Sequence, residues 1–333
     1  MSENTKKEKR TSFSEIGVNA ALVGLFDGTG FVNSDTLQKE NVVTSHKVMM
    51  EGVDFDLVYN PLKHLGYKAV LNAVGDIYAS FCIPTAISAV VGLSSRFSYE
   101  DMQELWTGVV AGAKEHHVST LHLELNPSVN GLYISLTAVG EQKKKVLSTR
   151  PEPKSKDLIC LGGNVGAAYL GQHVLEREKV AFMSAPEGVA QPDLSDYKYI
   201  LSQYLSPELP SNTIDRFLEC GIIPSCGDFV TKGLAASVRK IAQKTGFGAK
   251  IYVDKIPIAS QTFQMAEEIN MDPITCALNG GDDYRLLYTI PLEKFELFKK
   301  EIQTFDVIGH LCKQEVGTVL VTPEGAEMEL KSL

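Results

Sequence analysis

The chain has 333 residues, with 32 Lys and Arg against 41 Asp and Glu, a formal charge of −9, and 44% hydrophobic positions. That composition excludes disorder and fibre formation, and the length favours two domains that each bury a core. An acidic balance without a basic stripe argues against nucleic acid as a partner, and Lys143-Lys144-Lys145 reads as a solvated turn.

Residues 1–11 read as a polar arm, followed by a helix over Ser12–Leu25 with Ser14 as a candidate cap, broken at Asp27-Gly28-Thr29-Gly30. Val42–Met50 has strand character. Pro61–Ala79 carries Leu62, Leu65, Ala69, Leu71 and Val74 at helical intervals behind a proline suited to a first turn. A strand over Thr85–Leu93, a helix over Tyr99–His116 and strands over Ser119–Leu125 and Leu132–Val139 complete an α/β first half. The stretch Glu141–Lys156 holds five lysines and two prolines, which places a domain boundary near residue 150, with domains at 1–150 and 151–333.

The second half opens with a strand over Asp157–Leu161, the turn Gly162-Gly163-Asn164-Val165-Gly166, and a helix from Ala167 to about Glu176. Helices follow near Ser195–Leu205, Asn212–Cys220 and Gly233–Thr245. Strands are expected near Ala249–Val253, Tyr284–Ile290, Val307–His310 and Thr318–Val321. The whole is α/β, in two layered units. No run approaches the roughly 18 to 20 apolar residues of a membrane span, the charged N-terminus disfavours secretion, and six scattered cysteines without CxxC spacing suit a reducing cytoplasm.

Two glycine-rich segments could carry chemistry. The Gly162–Gly166 turn joins a strand to a helix, where bare N–H groups hold either a phosphate or only a tight turn. Gly280-Gly281-Asp282-Asp283-Tyr284 lets the backbone approach a ligand and offers adjacent carboxylates. His116-His117 with His122 and Glu124 could suggest a metal cluster, but adjacent histidines on one helix do not face one site, and these residues read as packing and surface positions.

Taken together, Met50-Glu51-Gly52-Val53-Asp54-Phe55, Gly66-Tyr67-Lys68-Ala69-Val70, Gly75-Asp76-Ile77-Tyr78-Ala79, Arg150 with Asp157-Leu158-Ile159-Cys160, and Gly280-Gly281-Asp282-Asp283-Tyr284-Arg285-Leu286-Leu287 resemble the thiamine-monophosphate kinase family. That family lies within the aminoimidazole-ribonucleotide synthetase-like ATP-binding superfamily. The resemblance runs nearly end to end. It implies an α/β (α+β) fold of two domains, an N-terminal mixed sheet that forms a barrel with its copy in a homodimer, and ATP in the cleft between domains. The implied activity is transfer of the ATP γ-phosphoryl group to thiamine monophosphate, with Mg²⁺ ions held by aspartates.

Carried over position by position, the resemblance puts Asp76 and Glu124 at metal positions and Asp76 with Arg150 in catalysis. Glu124, Arg150, Thr231, Lys232, Lys47, Gly162 and Gly163 fall toward ATP or phosphate, and Asp54 and Asp282 toward substrate. The family's first-strand aspartate falls on Lys47, or on His46 if the register shifts by one. Two second-domain aspartates become Phe229 and Lys232, with Asp228 one residue away. The five positions Lys47, Asp76, Glu124, Phe229 and Lys232 would carry five negative charges as aspartates and carry none net here. The expectation is therefore a kinase-like homodimer with impaired or absent activity. The alternative is a non-catalytic binding or dimer-partner protein that takes thiamine monophosphate or another phosphorylated metabolite.

Overall fold

The computed structural model describes residues 16–30, 36–185 and 192–330; the arm over 1–11 and the Ser14 cap lie outside the described residues. Helix α1 spans Val18–Phe26. Strands β1 (Thr36–Lys39), β2 (Val42–Met50), β3 (Ile83–Leu93), β4 (Thr120–Pro127) and β5 (Tyr133–Glu141) form a five-stranded sheet in the order β1-β2-β5-β3-β4. Only the β3–β4 pair is parallel, so the sheet is mixed as expected.

Helices α2 (Leu62–Ala79) and α3 (Tyr99–Glu115) cover one face of that sheet. Helix α3 begins where Ser98 Oγ accepts from Asp101 N at 3.1 Å and Asp101 Oδ2 accepts from Ser98 N at 2.7 Å, a reciprocal cap readable in the sequence. Helix α2 is buried from Leu65 to Ala79 except for Tyr67 and Asn72, the charged Lys68 and Asp76 included, because three neighbours press on it. Gly66 lies under the Leu105 carbonyl of α3, Ile77 packs at Gly140 of β5, and Gly75 faces the second half of the chain.

Helix α4 (Lys144–Thr149) falls in the lysine-rich stretch read as a boundary, and its Val146 is fully buried. Beyond it, strands β6 (Leu158–Gly162), β7 (Cys226–Val230), β8 (Gly248–Tyr252), β9 (Arg285–Ile290), β10 (Phe305–Cys312), β11 (Thr318–Val321) and β12 (Glu327–Glu329) build a seven-stranded sheet, β12-β11-β8-β10-β6-β9-β7. Its helices are α5 (Ala167–Met183), α6 (Lys198–Leu205), α7 (Thr213–Glu219), α8 (Leu234–Thr245), α9 (Ser260–Glu268), α10 (Pro273–Asn279) and α11 (Phe295–Glu301).

The two sheets share one apolar cluster that passes from Ile87, Leu136 and Val74 through Phe229, Tyr284 and Tyr288 to Phe217 and Phe305. Along α2, Lys68, Gly75 and Ala79 recur at seven- and four-residue steps on the stripe that meets β7 and β9. Among the described residues, no helix is long and apolar enough to cross a membrane, and all six cysteines are free thiols.

Candidate active-site cleft

The residues assigned to metal and phosphate separate according to the face of the first sheet they occupy. Side chains alternate along a strand, so Ser45, Lys47 and Met49 of β2 point toward α2 while His46 and Val48 point away. Lys47 pairs across β5 with Leu136, Leu136 with Ala89 of β3, and Ala89 with Leu123 of β4, which puts these four on the helix face. Glu124 therefore stands on the opposite face, where it accepts from Asn126 Nδ2 at 3.1 Å. Asp76 and Glu124 cannot chelate one ion with a sheet between them, and the expected metal pair is corrected on that ground.

Asp76, on α2, is buried. Its Oδ2 lies 2.5 Å from Lys47 Nζ and accepts from Ser45 Oγ at 3.2 Å. Of the two candidate positions Lys47 is the one that faces Asp76, whereas His46 is exposed on the far face with Nδ1 2.7 Å from Thr137 Oγ1. His122 also lies on the far face, beside Ser88. His116 is buried against Tyr78, with Nδ1 3.1 Å from the phenol, as a packing histidine.

One helical position before Asp76 the cleft is filled by an aromatic ring. Phe229 of β7 is buried against Tyr284 and against Gly75, where a Cβ would stand 2.1 Å from Phe229 Cε1. The benzyl group and the bare glycine fit each other. Asp228 adds no carboxylate beside Phe229, since strand alternation turns it to the other side of β7 and onto Lys244 at 2.8 Å. Thr231 follows the strand with its carbonyl bonded to Asp282 N, and Lys232 is exposed beyond it.

A second charged pair sits further along α2. Lys68 Nζ is 2.8 Å from Asp282 Oδ2, with the ammonium 3.9 Å from the centre of the Tyr204 ring and 5.6 Å from that of Tyr284. Lys68 is only 3% exposed and is held by charge and by aromatic faces together. Burial pushes the Tyr284 phenol well up, and the charges of Asp282 and Asp54 and the neighbouring Tyr204 push it the same way, so the two expected substrate residues share the surroundings of one hydroxyl. Asp54 also accepts from Met50 N at 2.7 Å, closing the turn after β2. The role of Lys68 was missed from sequence. The available signal was a lone cation followed by Ala69-Val70-Leu71 inside a helix.

The glycine turn differs from its phosphate-cradle reading. The N–H of Gly166, at the start of α5, donates to Asp283 Oδ1 at 2.9 Å, and Ala168 N–H donates to the same carboxylate. Asp283 is fully buried, and desolvation lifts its pKa to about 7 despite these bonds. Gly163 abuts Arg285, whose Nε donates to Asn164 O at 3.0 Å. An internal carboxylate thus occupies the N–H groups of Gly166 and Ala168 at the helix terminus, while Gly162 and Gly163 form the turn that leads to it. Arg150 lies one turn beyond Asp76, its Nη1 donating to Ser80 O at 3.0 Å past the end of α2.

These positions do not fit Mg²⁺, which requires hard oxygen ligands in octahedral order. Among the described residues, no three His, Cys, Asp or Glu side chains converge as a metal site. A divalent ion about 4 Å from the Lys47 ammonium would meet roughly 8 kcal/mol of repulsion at an effective dielectric of about 20.

Residues 18–142 match the family model described as AIR synthase related protein, N-terminal domain. The thiamine-monophosphate kinase of Bacillus subtilis is 24% identical over 288 residues, covering 85% of this chain and 84% of that one. The solved structure of AaThiL complexed with AMPPCP and TMP superposes with a TM-score of 0.80 at 21% identity, over 97% of this chain and 98% of the other. This chain is thus similar over most of its length to thiamine-monophosphate kinases, and its first half matches the AIR synthase related model. A crystal structure of thiamine-monophosphate kinase from Aquifex aeolicus gives a TM-score of 0.79 at 21% identity, over 96% and 100% of the two chains. At such identity the structural likeness establishes the two-sheet fold that this chain shares with those structures.

Proposed function

We propose that this thiamine-monophosphate kinase-like chain binds ATP and a small phosphorylated metabolite, thiamine monophosphate first among them, and that phosphoryl transfer between them is strongly reduced. The likeness to kinases over most of the chain supports the ligand class. The observation that carries the loss is the Lys47–Asp76 pair, since the buried acid nearest the cleft is already neutralised from within the protein.

In this reading the exposed Lys232, with Thr231 and Lys47, receives phosphate oxygens by charge and hydrogen bonding. Arg150 lends positive charge from the end of α2. Asp282 and Asp54 orient the substrate beside Tyr284. No step is routed through Mg²⁺, because the side chains present do not form its site. Residues 1–150 and 151–333 serve as the two domains on either side. The outer face of the first sheet, where Val48 and Met50 are exposed, serves as the contact between two copies. The free thiols suit a cytoplasmic setting.

The test is a product assay for thiamine diphosphate from ATP and thiamine monophosphate, run beside the Bacillus subtilis relative. Turnover at least about a hundredfold lower is expected, the scale on which lost electrostatic stabilisation acts. Comparable turnover would overturn the loss. A second reading, a non-catalytic metabolite-binding protein, is favoured by the fact that Lys47–Asp76 and Lys68–Asp282 each neutralise a charge the cleft could have used. Binding without measurable turnover would select it.

A further inference from the structure

Lys47 and Asp76 are unequally placed. The lysine side chain keeps 24% of its surface exposed and the aspartate 10%, so the ammonium is the outer partner and Asp76 lies behind it. Asp76 is also anchored, on a buried helix and by Ser45 at 3.2 Å, whereas Lys47 reaches in from a strand on a flexible stem. An ammonium has three donors, and the pair with Asp76 engages one of them. A ligand approaching this point from solvent therefore meets a cation with donors to give, not a carboxylate.

The surroundings select the same ligand charge. Phe229 presents a ring edge or face where an acid would bind a cation, Asp228 is turned away onto Lys244, and Glu124 is on the far side of the sheet. The exposed charge at the end of β7 is the ammonium of Lys232. Lys47, Phe229 and Lys232 are each neutral or positive.

We infer that the cleft takes polyphosphate as the metal-free anion, with Lys47 acting as a resident counter-cation in place of a divalent ion. The inference rests on the nucleotide-binding reading above and specifies the form of the ligand. Free nucleotide delivers its phosphate oxygens to Lys47 and Lys232. The magnesium complex offers the same oxygens already neutralised and brings a divalent charge up to an ammonium, so it gains nothing from this site. Asp76 competes with the ligand for Lys47, and its removal strengthens binding.

The experiment is calorimetric titration of the full chain with the non-hydrolysable analogue AMPPCP, in EDTA and in excess Mg²⁺, for the natural sequence and for Asp76→Asn and Lys47→Met. The natural chain is expected to bind in EDTA at least as tightly as in Mg²⁺. Asp76→Asn is expected to bind the metal-free analogue about tenfold more tightly, and Lys47→Met about tenfold more weakly, the size of one charge-assisted hydrogen bond. Thermal melting shows whether each variant is folded, and should Lys47→Met fail to fold, Asp76→Asn decides alone. Tenfold tighter binding in Mg²⁺ than in EDTA, or weaker metal-free binding by Asp76→Asn, overturns the inference and leaves nucleotide binding standing. Absence of binding in both buffers, for the natural chain and Asp76→Asn alike, overturns the nucleotide-binding reading and this inference with it.

Discussion

Lys47 Nζ stands 2.5 Å from Asp76 Oδ2, a strand residue reaching a helix residue 29 positions away in sequence. Two separate placements make the contact. Alternation along β2 sends Lys47 and Ser45 to the same face, and the buried helix α2 presents Asp76 to both. A buried carboxylate with a cation and a hydroxyl on one oxygen is a satisfied group rather than a vacant ligand.

The pair Lys68–Asp282 should break asymmetrically. Lys68 is 3% exposed and Asp282 33%, so water can rehydrate the acid but cannot reach the ammonium. Asp282→Ala is expected to destabilise the protein by about 3 to 5 kcal/mol, by stranding a buried charge, and Lys68→Met by about 1 kcal/mol or less. Urea denaturation at neutral pH measures both. Equal losses would show that the aromatic rings alone hold the lysine.

Gly75 and Phe229 should be coupled. A methyl group at position 75 would lie 2.1 Å from the Phe229 ring, so Gly75→Ala is expected to destabilise by about 1 to 3 kcal/mol despite the helix preference for alanine. In a Phe229→Ala background the clash is gone, and the same change should be neutral or stabilising by up to about 1 kcal/mol. A double-mutant cycle in denaturant reads the difference; additive effects would mean that the ring and the glycine do not share that space.

Asp283 should make the fold weaker as pH rises. Its pKa is about 7 in the folded chain against an ordinary 3.8, chiefly through burial. Between those values the folded state holds a proton that the unfolded chain has lost. Stability from this group is therefore full below about 4 and is lost as pH climbs through 7. Comparison of denaturation midpoints at several pH values for the natural chain and Asp283→Asn isolates the slope. Asparagine can still accept from Gly166 N–H, and its midpoint should lack this decline.

His116 should act in the opposite sense. Burial, with the neighbouring His117, holds its pKa down to about 4 against an ordinary 6.5. Here the unfolded chain takes up the proton first, so stability is full above about 6.5 and falls as the medium is acidified toward 4. His116→Gln should flatten that acid limb in the same denaturation series, while the Asp283 slope persists.

The sequence by itself determined most of the elements and the resemblance to thiamine-monophosphate kinases. Periodicity of 3.6 exposed α2 and α3, and strand character exposed β2, β3 and β5, because these signals depend only on near neighbours along the chain. Strand β7 escaped notice. Gly227 and Asp228 weaken its local preference, and pairing with β9 alone makes it a strand. The site was legible as a set of residue types and illegible as a geometry. Only the tertiary structure decided that Glu124 and Asp76 lie on opposite faces, that Asp283 fills the glycine turn, that Phe229 fits Gly75 and that Lys47 neutralises Asp76. Each of those facts joins residues from different elements, and no local pattern encodes which faces meet when two sheets close on one helix.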